Sequence, residues 1–175
     1  MVSKFFLSLL FTWCALASGA PCQTLPRMEG ETLSGKPALL PDAAHGKVAL
    51  LAIGFSKKGG DSAKAWSERF RQDFGKDSNY AIYPVAELED APRLIRGLIK
   101  SGMRKDVPLE AQDRFVLLFK DSAEWKKFVN CVDSDEGYLL LLGADGEIKW
   151  RGHGLFREDN YAPLREAAKS LAGKQ

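Results

Sequence analysis

The nine residues from Lys47 to Phe55, "KVALLAIGF", constrain this chain more than any other stretch. After Lys47 the run contains no polar side chain. A strand with one wet face alternates apolar with polar residues, and this one does not. It belongs in the middle of a sheet with both faces covered. Parallel strands joined by crossover helices supply that cover, so the run predicts an α/β fold.

The flanking sequence extends this reading. Gly30 to Pro41, "GETLSGKPALLP", holds two short extended pieces around Ser34-Gly35-Lys36, a hairpin signal. Asp61 to Phe74 predicts a helix, opened by Asp61 or Ser62 as a cap and ended by Gly75. In it Trp66, Phe70 and Phe74 recur every fourth residue and form a core-facing stripe. Tyr80 to Glu87 is a second strand, and Pro84 predicts that its later part lies on an edge or at a bulge. Glu89 to Met103 predicts an amphipathic helix with Pro92 in its first turn. Leu94, Ile95, Leu98 and Ile99 are expected to face inward, and Arg93, Arg96, Lys100, Arg104 and Lys105 to form a solvated basic side. Arg114 to Phe119 is a third strand. Asp121 or Ser122 opens a short helix to Val129, with Trp125 and Phe128 inward. Gly137–Leu142 and the "EIKWRG" segment form a hairpin through Gly143-Ala144-Asp145-Gly146. A last helix from Asp159 or Asn160 buries Tyr161, Leu164, Ala168 and Leu171.

The order is hairpin, β, α, β, α, β, α, β, β, α. With right-handed crossovers this is the thioredoxin-like plan: a three-layer α/β/α sandwich with a mixed central sheet and an N-terminal β-hairpin. The chain has 175 residues, enough for one such domain and a leader. Lys4 followed by the apolar "FFLSLLFTWCALA" reads as a signal peptide over residues 1–17, cleaved near Ala17 or Ala20. Residues 18–28 read as a linker and 29–175 as the domain. The leader predicts an exported, periplasmic or extracytoplasmic protein, membrane-tethered if it stays uncleaved. Pro21 before Cys22 and Trp13 before Cys14 do not suit lipidation, which needs a small residue there. A net charge of +2 gives no basis for a nucleic-acid partner.

In thioredoxin-like enzymes a Cys-x-x-Cys pair sits where the central strand meets the next helix. Here that junction reads Phe55-Ser56-Lys57-Lys58-Gly59-Gly60. A serine hydroxyl ionises too weakly to replace a thiolate. The cis-proline that such enzymes place before the later strand is also missing, with Gly137 at that point. Cys131 remains, and in an oxidising compartment Cys22 and Cys131 could pair. The histidines His45 and His153 lack metal-ligand spacing, and "DSDEG" from Asp133 lacks that of a calcium loop and reads as a solvated turn, so no metal or other cofactor is expected.

Four segments resemble the ATPase subunit 10 assembly-factor family, a thioredoxin-like group known from mitochondria. They are "GETLSGKPALLP", "FSKKGGDSAKAWSERF", "KSGMRKDVPLEAQDRFVLLF" and "GYLLLLGADGEIKWRGHG". The resemblance implies a non-redox protein that assists assembly of a membrane complex, in the mitochondrial members the membrane sector of ATP synthase. The secretory leader points instead to a bacterial, exported relative. The expected function is therefore a non-catalytic, chaperone-like binding or assembly role in the cell envelope, with a protein or peptide partner that could itself be a membrane protein. The expected contact surface is Phe55, Ser56, Lys57, Lys58 and Gly59 with Gly137. The alternative is a thiol oxidoreductase or peroxiredoxin-like enzyme using Cys131, with or without Cys22.

Overall fold

The computed structural model describes residues 23–172. The leader, Cys22 and its pairing with Cys131 lie outside them. Eight strands form one sheet: β1 (Gln23–Thr24), β2 (Met28–Thr32), β3 (Pro37–Leu40), β4 (Val48–Gly54), β5 (Tyr80–Glu87), β6 (Val116–Leu118), β7 (Gly137–Leu142) and β8 (Glu147–Gly154). Their order is β1-β8-β7-β4-β5-β6-β2-β3. The strand β4 lies in the middle, parallel to β5 and antiparallel to β7, with every residue buried. The sequence expectation for the apolar run therefore holds.

Five helices complete the layers: α1 (Lys57–Phe74), α2 (Arg93–Asp106), α3 (Leu109–Gln112), α4 (Ser122–Phe128) and α5 (Glu158–Ala172). Successive strand residues point to opposite faces, which sorts the core into two sides. On one side Leu51, Ile53, Tyr83, Val116 and Leu140 pack with Trp125 of α4. On the other, Leu50, Ala52, Leu139 and Leu141 pack under Trp66 and Phe70 of α1 and Leu164 of α5. Ala86 and Leu117, neighbours of Val85 and Val116, face this second side and meet Ile99, Met103 and Val107 of the α2 region. Helices α1, α5 and α2 thus share one layer.

The structure corrects several sequence expectations. The span 18–28 is not all linker: Gln23–Thr24 pairs with Glu147 and Ile148 of β8, and Leu25 and Met28 are buried. Helix α1 begins at Lys57, one turn before Asp61, because Ser56 caps it and the two glycines stay helical. Pro92 caps α2 rather than entering its first turn. Helix α4 takes no cap from the Asp121 side chain; instead Glu89 accepts the Ser122 backbone N–H at 2.7 Å. Pro84 departs from the expectation: the later part of β5, Val85–Glu87, is paired with β6, and it is the earlier part, up to Pro84, that lacks that neighbour.

The largest departure concerns α2. Leu94 is 98% exposed, Leu98 77% and Ile95 44%, whereas Ile99 alone of the four expected inward residues packs on the core. Three of the five basic residues bond on the inner side in their place, Arg96 and Lys100 half-buried and Arg104 still largely exposed, while Arg93 and Lys105 stay in solvent. Arg96 Nη2 donates to Glu89 O at 2.7 Å and its Nε to Ala91 O at 2.9 Å. Lys100 pairs with Glu31, and Arg104 Nε donates to Leu33 O at 2.7 Å. The period of the helix is legible, but the Leu33 carbonyl just past β2, the Glu31 carboxylate on β2 and the carbonyls of the loop between β5 and α2 set which side faces in.

Candidate functional site

The site is built where β4 ends and α1 begins. Ser56 adopts an extended backbone, and its Oγ accepts the Gly59 N–H at 3.0 Å, satisfying one orphan donor of the helix. The same Oγ donates to Asp135 Oδ1 at 2.8 Å. Asp135 Oδ2 pairs with Lys58 Nζ at 3.0 Å. The Ser56 hydroxyl and the Lys58 ammonium hold the Asp135 carboxyl below the usual carboxylate range, and Asp135 in turn holds Lys58 above its ordinary value. A carboxylate at a helix N-terminus also opposes the positive end of the helix dipole.

Glycines let these parts approach. A Cβ on Gly59 would lie 2.4 Å from Ser134 O and 2.8 Å from Glu136 O. A Cβ on Gly137 would lie 2.9 Å from the backbone N of Ala63. Gly137 pairs with Gly54 on one side and Gly154 on the other, so three strands present a row without side chains to the start of α1. Gly154 O accepts two hydrogen bonds from that helix, from Ser62 Oγ at 2.9 Å and Trp66 Nε1 at 3.1 Å. Helix α1, β7, β8 and the 131–136 loop are thereby locked as one unit.

The structure brings the six expected contact residues together, but only part of the set reaches the surface. Phe55, Gly59 and Gly137 are buried, Ser56 is half-buried, and Lys57 and Lys58 are exposed. Phe55 packs edge-on against Tyr138 with ring centroids 5.6 Å apart. The accessible surface is therefore Ser56, Lys57 and Lys58 with Asp135 beside them. Asp135 was missed by the sequence reading, which took "DSDEG" as a solvated turn. Its acidic character was visible; its position over the Ser56 hydroxyl depends on the fold.

Cys131 lies half-buried in the loop between α4 and β7. Its Sγ is 4.0 Å from Ser134 Oγ. Tyr138 organises the same loop: its hydroxyl accepts the N–H groups of Val132 and Asp133 at 3.0 and 3.2 Å and donates to Asp133 O at 3.0 Å. Burial first, and then the Cys131 thiol, push the Tyr138 phenol up. His153 stacks on Tyr138 and its Nδ1 lies 2.7 Å from Glu136 Oε2. Among the described residues, no group of His, Cys, Asp and Glu is arranged to hold a metal, and no helix is long and apolar enough to cross a membrane.

Comparison with known proteins places this arrangement. A family model described as ATP10 protein matches residues 20–171. No curated protein matches the chain in sequence. Among solved structures, a protein described as thiol:disulfide interchange protein DsbE from Chlorobium tepidum superposes with a TM-score of 0.61 at 15% identity, covering 86% of this chain and 96% of that one. The thioredoxin domain of a thiol-disulfide oxidoreductase from Bacteroides vulgatus gives 0.59 at 21% identity, covering 85% and 98%. BsSco, a member of the Sco family of cytochrome c oxidase assembly proteins, gives 0.55 at 14% identity, covering 85% and 95%. At these identities the likeness shows the fold, which is thioredoxin-like.

Proposed function

The chain belongs to the ATP10 protein family, and from that premise we propose that it is a non-redox binding or assembly protein of the cell envelope. The observation that carries this reading is the closed end of α1. Where a thiol would attack, Ser56 is already engaged twice, by the Gly59 N–H and by Asp135. The Asp135 carboxylate takes the place a substrate group would need beside the helix N-terminus. What faces solvent there is a short ridge of Lys57 and Lys58, suited to an acidic segment of a protein partner.

The leader supports an exported location, and the family supports a partner that is a protein under assembly. Lys57 is the better probe, because Lys58 also holds Asp135. Crosslinking in envelope fractions should capture a partner with the wild-type chain and lose most of it with Lys57→Glu. Capture unchanged by Lys57→Glu removes this ridge from the proposal.

The thiol-oxidoreductase reading rests on Cys131, which lies in the loop that closes the site. A disulfide-reduction assay on the folded chain separates the two. Turnover that disappears with Cys131→Ser supports the enzyme and overturns the binding reading.

A further inference from the structure

Helix α2 carries a surface of a different kind from the ridge at α1. It has five basic residues and one acid, Asp106 at its last position. Its rotation is fixed from beneath by Arg96, Lys100 and Arg104, which bond to Glu89 O, Ala91 O, Glu31 and Leu33 O, and by Ile99 and Met103, half-buried against Ala86 and Leu117. That anchoring leaves Leu94 and Leu98 almost wholly in water with Ile95 half out beside them. Gly97, Ser101 and Gly102 on the exposed helix do not shield them. Leu109 of α3, three residues past the end of α2, is 83% exposed as well. Clustered large apolar residues in water are unfavourable unless something covers them.

We propose that this face of α2 docks on an anionic lipid surface, with Leu94, Ile95 and Leu98 entering the headgroup boundary and Arg93 and Lys105 meeting the lipid charges. Leucines on one side of a helix flanked by basic residues are the composition of an interfacial helix. A second copy fits poorly, since two such faces would bring cationic helices together. The leucines form a ridge on a helix surface, and a bilayer accepts a ridge without a matching groove. The apolar run Phe5–Ala17, proposed above as a leader, would carry the chain across a bilayer and, if uncleaved, would tether it there.

The test uses the full chain and reads amide hydrogen exchange peptide by peptide, so the leader and α2 report separately. With vesicles containing phosphatidylglycerol, exchange across Arg93–Lys105 should slow several-fold. With pure phosphatidylcholine vesicles it should not, even where the leader anchors the protein and it sediments with the lipid. Leu94→Glu with Leu98→Glu should abolish the protection and leave both sedimentation through the leader and the melting temperature unchanged, because neither side chain packs in the core. Equal exchange of α2 with both lipids, protection surviving in the double variant, or no sedimentation with either vesicle overturns the proposal. So does α2 protection that rises with protein concentration without lipid, which assigns the face to a second copy. Protection by native envelope vesicles but not by pure lipid assigns it to a polypeptide and overturns it too.

Discussion

Helices α1 and α2 lie on the same side of the same sheet, both follow the strand before them into a crossover, and both are amphipathic. They are used in opposite senses. In α1 the aromatic stripe of Trp66, Phe70 and Phe74 is buried and the helix start is stitched down by Ser56, Asp135 and the glycine row. In α2 Arg96, Lys100 and Arg104 are stitched down and the leucines are presented to solvent. A helical period therefore identifies two faces without saying which is the inner one. Strand ends with free carbonyls can hold arginines as firmly as a sheet surface holds leucines.

The contrast is sharpest in stability. Trp66→Ala should destabilise the protein by about 3–5 kcal/mol, since it empties a fully buried site and removes a donor to Gly154 O. Leu98→Ala, a truncation in the same layer, should stay within about 0.5 kcal/mol. Urea denaturation of the two variants reads both, and a Leu98→Ala cost close to that of Trp66→Ala would mean that α2 is rotated from the orientation described.

Next in size is Gly59→Ala. The added methyl meets the backbone oxygen of Ser134, so the 131–136 loop must move, at about 1–3 kcal/mol. The companion change Gly97→Ala on α2 meets nothing within 4 Å and should stabilise by about 0.5–1 kcal/mol, because alanine is the better helix former. Matching thermal melts would show opposite signs.

Smaller still is the loss of the Lys100–Glu31 pair, which helps fix the rotation of α2. Glu31→Gln should cost about 1 kcal/mol or less. Its more telling readout is faster amide exchange in α2 with none in α1.

The smallest effect is the pH dependence of the α1 end. The Asp135 pKa is depressed in the folded state, so its contribution is present above its ordinary value and fades as pH falls through the folded one. Asp135→Asn should flatten that acid-side loss, seen as weaker pH dependence of loop exchange below about pH 4. The α2 exchange should not follow it.

Most of the fold could be read from the sequence because burial patterns repeat locally. The run Val48–Gly54, the Gly143–Gly146 turn and the stripe of α1 each specify their own structure and lie where expected. What could not be read depended on partners far along the chain. Gly59 falls before the helix expected from Asp61, and only the fold brings Ser134 O and Glu136 O against it. Asp135 looked like part of a turn until the fold set it on Ser56, 79 residues away. The basic stripe of α2 looked solvated until Leu33 O and Glu31 met it. The candidate surface changed accordingly, from a set centred on Phe55 and Gly137 to an exposed lysine pair beside Asp135.

The account stands on the claim that the α1 end binds a partner without thiol chemistry. The direct measurement is partner capture by crosslinking in the envelope of cells carrying, in turn, the wild-type chain, Lys57→Glu and Cys131→Ser. Capture kept by Cys131→Ser and lost by Lys57→Glu is the predicted result. Capture lost by Cys131→Ser and kept by Lys57→Glu would contradict it.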